Sequence, residues 1–169
     1  VVDTSGSMMG GKIQQVKEAL TFCIEALGEN DAFNIIAFST DTMPFAPAPL
    51  PASAENRTRA SAYVSALKAR GGTAIQSALR EALKPTPTAG KVSMVVFLTD
   101  GLPTVGETDP TTIIKEAQDS ANERRIFTFG VGYDVNTRLL DGMSAKAKGY
   151  ATYVRPGENL ELSLSSFYA

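Results

Sequence analysis

Two periodicities alternate along the chain. Ile13, Val16, Leu20, Cys23, Ile24 and Leu27 recur at three- and four-residue spacing and predict an amphipathic helix over 11–28. From Phe33 to Ser39 the apolar positions instead run together, the pattern of a strand buried on both faces. Between Thr42 and Pro51 the prolines Pro44, Pro47, Pro49 and Pro51 exclude a central strand and predict an edge strand plus loop. Ser53 is placed to cap a helix reaching Lys68, with Tyr63, Val64 and Leu67 inward. Gly71-Gly72 breaks that pattern, and Thr73 opens another helix with Ile75, Leu79 and Leu83 on one side. Val92–Leu98 is the clearest buried strand. Asp109 followed by Pro110 marks a helix start, an N-cap and a first-turn proline, for a helix expected to reach Arg125. Ile126–Val131 reads as a strand, Asn136 caps a helix to Lys148, Tyr150–Val154 is a last strand, and Leu160–Tyr168 a final helix. Strands alternating with helices in this way predict an α/β domain, a mostly parallel sheet with helices on both faces. No internal repeat or linker interrupts 1–169, which is expected to be a single domain.

Composition narrows the chemistry. The chain has 169 residues and a net charge of −2, so it carries no general attraction for nucleic acid or an anionic membrane. It has no histidine, which excludes Ser-His-Asp and Cys-His catalysis and most catalytic zinc sites. Its one cysteine, Cys23, excludes an internal disulfide and falls on the apolar stripe of the first helix, where a buried thiol is expected. No apolar run is long enough to span a membrane. The chain opens at Val1-Val2-Asp3 without an initiator Met, in what reads as the tail of a strand. It is therefore expected to be a piece of a longer protein.

Three segments place hydroxyls or carboxylates just past strand ends or at helix starts: Asp3-Thr4-Ser5-Gly6-Ser7, Gly71-Gly72-Thr73 and Leu98-Thr99-Asp100-Gly101. Open α/β sheets gather functional groups at the carboxyl ends of their strands, and Asp3 and Asp100 both end predicted strands. One reading is phosphate binding, because Gly6 to Lys12 fits G-x-x-x-x-G-K between a strand and a helix. Ile13, however, stands where a P-loop needs the Ser or Thr that holds Mg²⁺. The other reading is a metal site. Asp3, Ser5 and Ser7 alternate within one extended turn, and with Thr73 and Asp100 they offer oxygen ligands only, which suits Mg²⁺. Taken singly, Ser5, Ser7 and Thr73 read as helix caps and Asp100 as a turn residue. Taken together at strand ends, the five favour the metal.

DTSGS resembles the D-x-S-x-S motif of the metal-ion-dependent adhesion site in von Willebrand factor type A domains. Thr73 after two glycines resembles that family's threonine, and Asp100 in LTDG its final aspartate. The likeness extends over nearly the whole chain. DTSGSMMGGKIQQVKEAL, PASAENRTRASAYVSALKARGGT, FLTDGLPTVGET and YATYVRPGENLELSLSSFYA look most like the type A domains of inter-alpha-trypsin inhibitor heavy chains and their bacterial relatives. The Ala-, Gly- and Pro-rich wording leans bacterial. The resemblance implies a Rossmann-like, doubly wound six-stranded sheet in the order 3-2-1-4-5-6, with one antiparallel edge strand near Thr42–Pro47. It also implies that Ser5, Ser7 and Thr73 bind Mg²⁺ (or Mn²⁺ or Ca²⁺) directly, while Asp3 and Asp100 act largely through water. An ion held mainly by neutral hydroxyls keeps an appetite for an anion, so the expected partner is a protein that supplies an Asp or Glu carboxylate. The function expected is metal-dependent adhesion or scaffolding without catalysis, outside the cell, in the periplasm or at the cell surface. The alternative is a Mg²⁺- or nucleotide-dependent hydrolase. Glu107, Asp109 and Asp134 are expected to be solvated loop acids or caps that border the site. Lys12 is expected to point to solvent. Met8 and Met9 form an apolar rim or pack inward, and the sequence leaves both open.

Overall fold

A computed structural model describes residues 1–168, with side chains described as far as Ser165. Its strands are β1 (Val2–Asp3), β2 (Ala32–Phe33), β3 (Ile36–Phe38), β4 (Thr42–Pro44), β5 (Leu50–Pro51), β6 (Met94–Thr99), β7 (Arg125–Val131) and β8 (Ala151–Val154). Its helices are α1 (Gly11–Ala26), α2 (Ala54–Ala66), α3 (Ile75–Leu83), α4 (Pro110–Ser120), α5 (Thr137–Ala145) and α6 (Leu160–Tyr168). Six strands form one sheet in the order β4-β3-β1-β6-β7-β8. All neighbours in it are parallel except β4, which lies antiparallel to β3 at the edge. Counted among the strands of that sheet alone, the order is 3-2-1-4-5-6. It departs from the expected numbering only because β2 and β5 pair separately as a two-stranded antiparallel ribbon.

Asn34 explains the ribbon. The apolar run from Phe33 to Ser39 reads as one strand, yet Asn34 interrupts it. Its Oδ1 accepts from the Ile35 and Ala46 amides, and its Nδ2 donates to the Ala46 carbonyl. A side chain that imitates a backbone partner takes the chain out of one ladder and releases it into another. Helix ends also fall short of their apolar patterns. α4 stops at Ser120 rather than Arg125, because Asn122 and Glu123 take left-handed φ values of 46° and 66°. α5 stops at Ala145, and Lys148 turns the chain with a φ of 54°. The caps read from sequence are made: Ser53, Asp109 and Asn136 accept from the amides of Asn56, Thr112 and Leu139.

Alternate strand residues feed two apolar layers, as the pleat requires. On one face Ala37, Leu98, Phe127, Phe129 and Val131 pack with Val16 and Leu20 of α1, Val64 of α2 and Leu164 of α6. On the other, Phe38, Val95, Phe97 and Ile126 pack with Leu79 of α3, Ile113 of α4 and Leu139 of α5. Cys23 is half-buried against the first layer. Among the described residues no helix is long and apolar enough to cross a membrane. The sheet order reverses between β1 and β6, so the loops leaving these strands diverge to opposite faces and leave a crevice at their carboxyl ends.

Candidate metal centre

β1 and β6 lie side by side with Val2 opposite Leu98, which sets Asp3 beside Thr99 and leaves Asp100 one residue beyond. Three loops meet there and are tied to one another. The first loop binds the second through backbone, Arg70 N to Thr4 O at 2.8 Å and Gly6 N to Gly71 O at 2.9 Å. The second binds the third around Thr73. Its carbonyl accepts from the Thr104 and Val105 amides, and its N–H donates to Thr104 Oγ1 at 2.9 Å. The third returns to the first through Thr99 Oγ1, which donates to Asp3 Oδ2 at 2.6 Å, and through Lys12 Nζ, 3.2 Å from Asp100 Oδ2. Gly72 allows the close fit, since a Cβ there would clash with Val105 Cγ2.

Asp3 is fully buried and both its oxygens are engaged, Oδ2 by Thr99 and Oδ1 by the Ser5 amide at 2.8 Å. Burial still pushes its pKa above the ordinary aspartate value. The bonds from Thr99 and Ser5 oppose that shift, and the nearby charge of Asp100 adds to it. Asp100 is buried as well, but only half satisfied: Lys12 holds Oδ2, while Oδ1 is buried with no hydrogen-bond partner. An orphaned carboxylate oxygen in a protein interior costs on the order of 1–3 kcal/mol or more, so a cation or a metal-bound water suits that atom. Ser5 Oγ lies 3.0 Å from Ser7 Oγ, with Ser5 buried and Ser7 exposed.

The cap readings of the hydroxyls are not realised. Ser5 precedes a short 3-10 turn, Gly6–Met8, yet its side chain caps no amide. α3 begins at Ile75 with Ala74 at its cap, so Thr73 sits one residue outside the helix it seemed to open. Among the described residues no three acidic or thiolate side chains gather in one place. A metal here would therefore draw on the serine and threonine hydroxyls together with Asp3 and Asp100, an oxygen set that fits a hard divalent cation. Within the Gly6–Lys12 stretch the amides of Gly6, Met8 and Met9 are already taken by carbonyls, and the Ser5 amide just before it is taken by Asp3.

Lys12 corrects the sequence reading. Rather than pointing to solvent, its side chain lies against Gly132 and reaches Asp100. A Cβ on Gly132 would stand 2.8 Å from Lys12 Cε. Met8 and Met9 divide the two options left open, Met8 packed in the core and Met9 67% exposed. Leu102 and Tyr133, in the loops after β6 and β7, are exposed on the same edge. Of the bordering acids, Asp109 is a cap, Glu107 accepts from the Asp109 amide, and Asp134 is exposed. Sequence reasoning missed Thr99, which orients Asp3, and Thr104, which holds Thr73. Thr99 stands inside the TDG string that marks Asp100; nothing local in the sequence singles out Thr104.

The von Willebrand factor type A domain model matches residues 1–153. The human inter-alpha-trypsin inhibitor heavy chain H4 is 37% identical over 99% of this chain, which spans 19% of that relative's length. A von Willebrand factor type A structure from Catenulispora acidiphila superposes with a TM-score of 0.88 at 25% identity, covering 99% of this chain and 40% of the other. The manganese-loaded TRAP protein of Plasmodium vivax superposes with a TM-score of 0.73 at 20% identity, covering 99% and 71%. The chain belongs to the von Willebrand factor type A domain family. It spans about a fifth of the length of the curated relatives it matches, and those heavy chains are mammalian, among them human and bovine.

Proposed function

We propose that residues 1–169 form a single metal-dependent protein-binding domain, an adhesion or scaffolding module without catalysis. Asp3, Ser5, Ser7, Thr73 and Asp100 hold one divalent cation, Mg²⁺ in the first place and Mn²⁺ or Ca²⁺ as substitutes. The observation that carries the reading is Asp100 Oδ1, a buried anionic oxygen without a partner at the junction of three loops that hydrogen-bond to one another. A bound dication supplies an electrophilic site for an anionic oxygen. A carboxylate on a partner protein completes its shell, and the exposed Met9, Leu102 and Tyr133 give that partner apolar surface on the same edge. Kinship with inter-alpha-trypsin inhibitor heavy chains and the manganese loading of a structural neighbour support the reading, and the first favours a place outside the cell or at its surface.

Calorimetry with Mg²⁺ and Mn²⁺ tests it. The wild-type domain should bind one ion, and an Asp3→Ala/Ser5→Ala variant should bind none. Equal binding by the two proteins would sink the assignment. A pull-down with and without chelator tests the partner: proteins recovered equally in both would make the site irrelevant to binding.

A further inference from the structure

Lys12 holds a proposed metal-site carboxylate, yet the metal reading gives it no part. It leaves the first turn of α1, is only 25% exposed, and runs through a slot that exists because Gly132 carries no Cβ. Its ammonium ends 3.2 Å from Asp100 Oδ2 and leaves Oδ1, the oxygen without a partner, to face other chemistry. One oxygen of the carboxylate is thus held by a fixed cation, and the other has no hydrogen-bond partner.

We propose that Lys12 is a built-in counter-cation of the metal centre, which weakens the hold on the metal while strengthening the hold on an anionic ligand. The inference rests on the metal reading above and deepens it. Asp3 and Asp100 carry two negative charges when ionised. With a dication alone the site would be neutral overall, so an incoming carboxylate, though drawn to the ion, would leave it with a net negative charge. With Lys12 added it carries one net positive charge, which a single carboxylate cancels. The same ammonium repels the dication, because it shares Asp100 with it. In the metal-free protein Lys12 also neutralises part of a buried carboxylate that otherwise has no partner. One residue therefore moves affinity for metal and for anion in opposite directions, a pattern that loss of packing does not produce.

Lys12→Met keeps the length of the side chain and removes its charge; Lys12→Arg keeps the charge. Mn²⁺ binding is measured by calorimetry. Carboxylate binding is read with acetate as probe, from the water proton relaxation of the bound Mn²⁺. Lys12→Met should bind Mn²⁺ about five- to ten-fold more tightly, the size expected for removing one charge a few ångströms away in a partly hydrated site. Its Mn²⁺-loaded form should bind acetate several-fold more weakly. Lys12→Arg should stay closer to wild type on both measures. A larger Mn²⁺-induced rise in Tm for Lys12→Met than for wild type would agree, since the variant leaves Asp100 unpaired until the ion arrives. Unchanged or weaker Mn²⁺ binding by a folded Lys12→Met, or both affinities moving the same way, would overturn the proposal and leave the metal reading standing. Wild-type protein that shows no saturable Mn²⁺ binding would overturn both.

Discussion

Asp100 and Asp109 stand at the two ends of one loop and live under opposite conditions. Asp100 directly follows a central strand, is buried, shares one oxygen with Lys12 and has no hydrogen-bond partner for the other. Asp109 is exposed, and its Oδ2 accepts from both the amide and the hydroxyl of Thr112 at the start of α4. Those bonds hold its pKa below the ordinary aspartate value, the side-chain bond from Thr112 most of all. The loop itself explains the contrast. Between the two aspartates, Thr104 and Val105 bond to Thr73 and tie the start of the loop to the site, while Asp109 at its other end caps α4 at the surface. An acid that a helix satisfies is finished chemistry. An acid that the fold buries half-satisfied is free to do something else.

The strongest way to break this contrast is to remove the two charges in parallel. Asp100→Asn should lower Mg²⁺ affinity by about 10–100-fold, the usual cost of losing a residue that holds or orients a metal ligand. Asp109→Asn should leave it within about two-fold, because a change at that distance from the site is screened by water. Calorimetry on both variants decides the matter, and equal losses would mean that the loop acts as one acidic surface.

A smaller effect is expected at Thr73. The bonds that hold its loop are made by its backbone N–H and C=O, so Thr73→Ala removes a hydroxyl and leaves those ties in place. Metal affinity should fall about ten-fold, excess metal should rescue partner binding, and the far-UV circular dichroism should not change. A variant that unfolds instead would show Thr73 to be structural.

The same contrast shows what the sequence could reveal. Apolar patterning marked the helices and the buried strands of the main sheet, because burial on one or both faces leaves a one-dimensional trace, while prolines marked the exposed edge strand β4. It failed at Asn34, where a polar side chain replaced a backbone partner, and at α4, where left-handed residues ended a helix whose apolar pattern continued. Asp3, Ser5, Ser7, Thr73 and Asp100 were legible as a group because they fall at strand ends and helix starts. The structure brings their three loops into contact. What could not be read was the company they keep. Lys12 meets Asp100 across 88 residues and Thr104 meets Thr73 across 31, and neither contact has a local signal.

Thr99 shows how far the buried side of the site depends on such company. Its hydroxyl donates to Asp3 Oδ2 and accepts from the Gly101 amide at 2.9 Å, so one group orients Asp3 and begins the loop that carries Asp100. Thr99→Val keeps the shape and strands both partners in the interior, which should cost about 1–3 kcal/mol of stability. Thr99→Ser should recover most of it. Denaturant unfolding measures both, and a Thr99→Val protein as stable as wild type would show that water or a rearranged loop fills the role.

The smallest effect belongs to the exposed end of the loop. Asp109→Ala removes the cap of α4 and should lower Tm slightly at neutral pH without changing metal affinity. The pH dependence follows from the direction of the shift. A carboxyl whose folded pKa lies below its unfolded value stabilises the fold when the pH is above the unfolded value, near 3.8. That contribution disappears as the pH falls through the lower folded value, where the carboxylate takes up a proton and accepts more weakly from Thr112. The difference in Tm between wild type and Asp109→Ala should therefore be constant from pH 7 down to about pH 5 and shrink below about pH 4. Thermal melts of the two metal-free proteins across that range measure it. The aspartates of the metal centre are common to both proteins, so their own acid titration cancels in the difference. A gap that instead widens in acid would mean that Asp109 is better satisfied protonated than ionised, and the cap seen at α4 would not be what sets its charge.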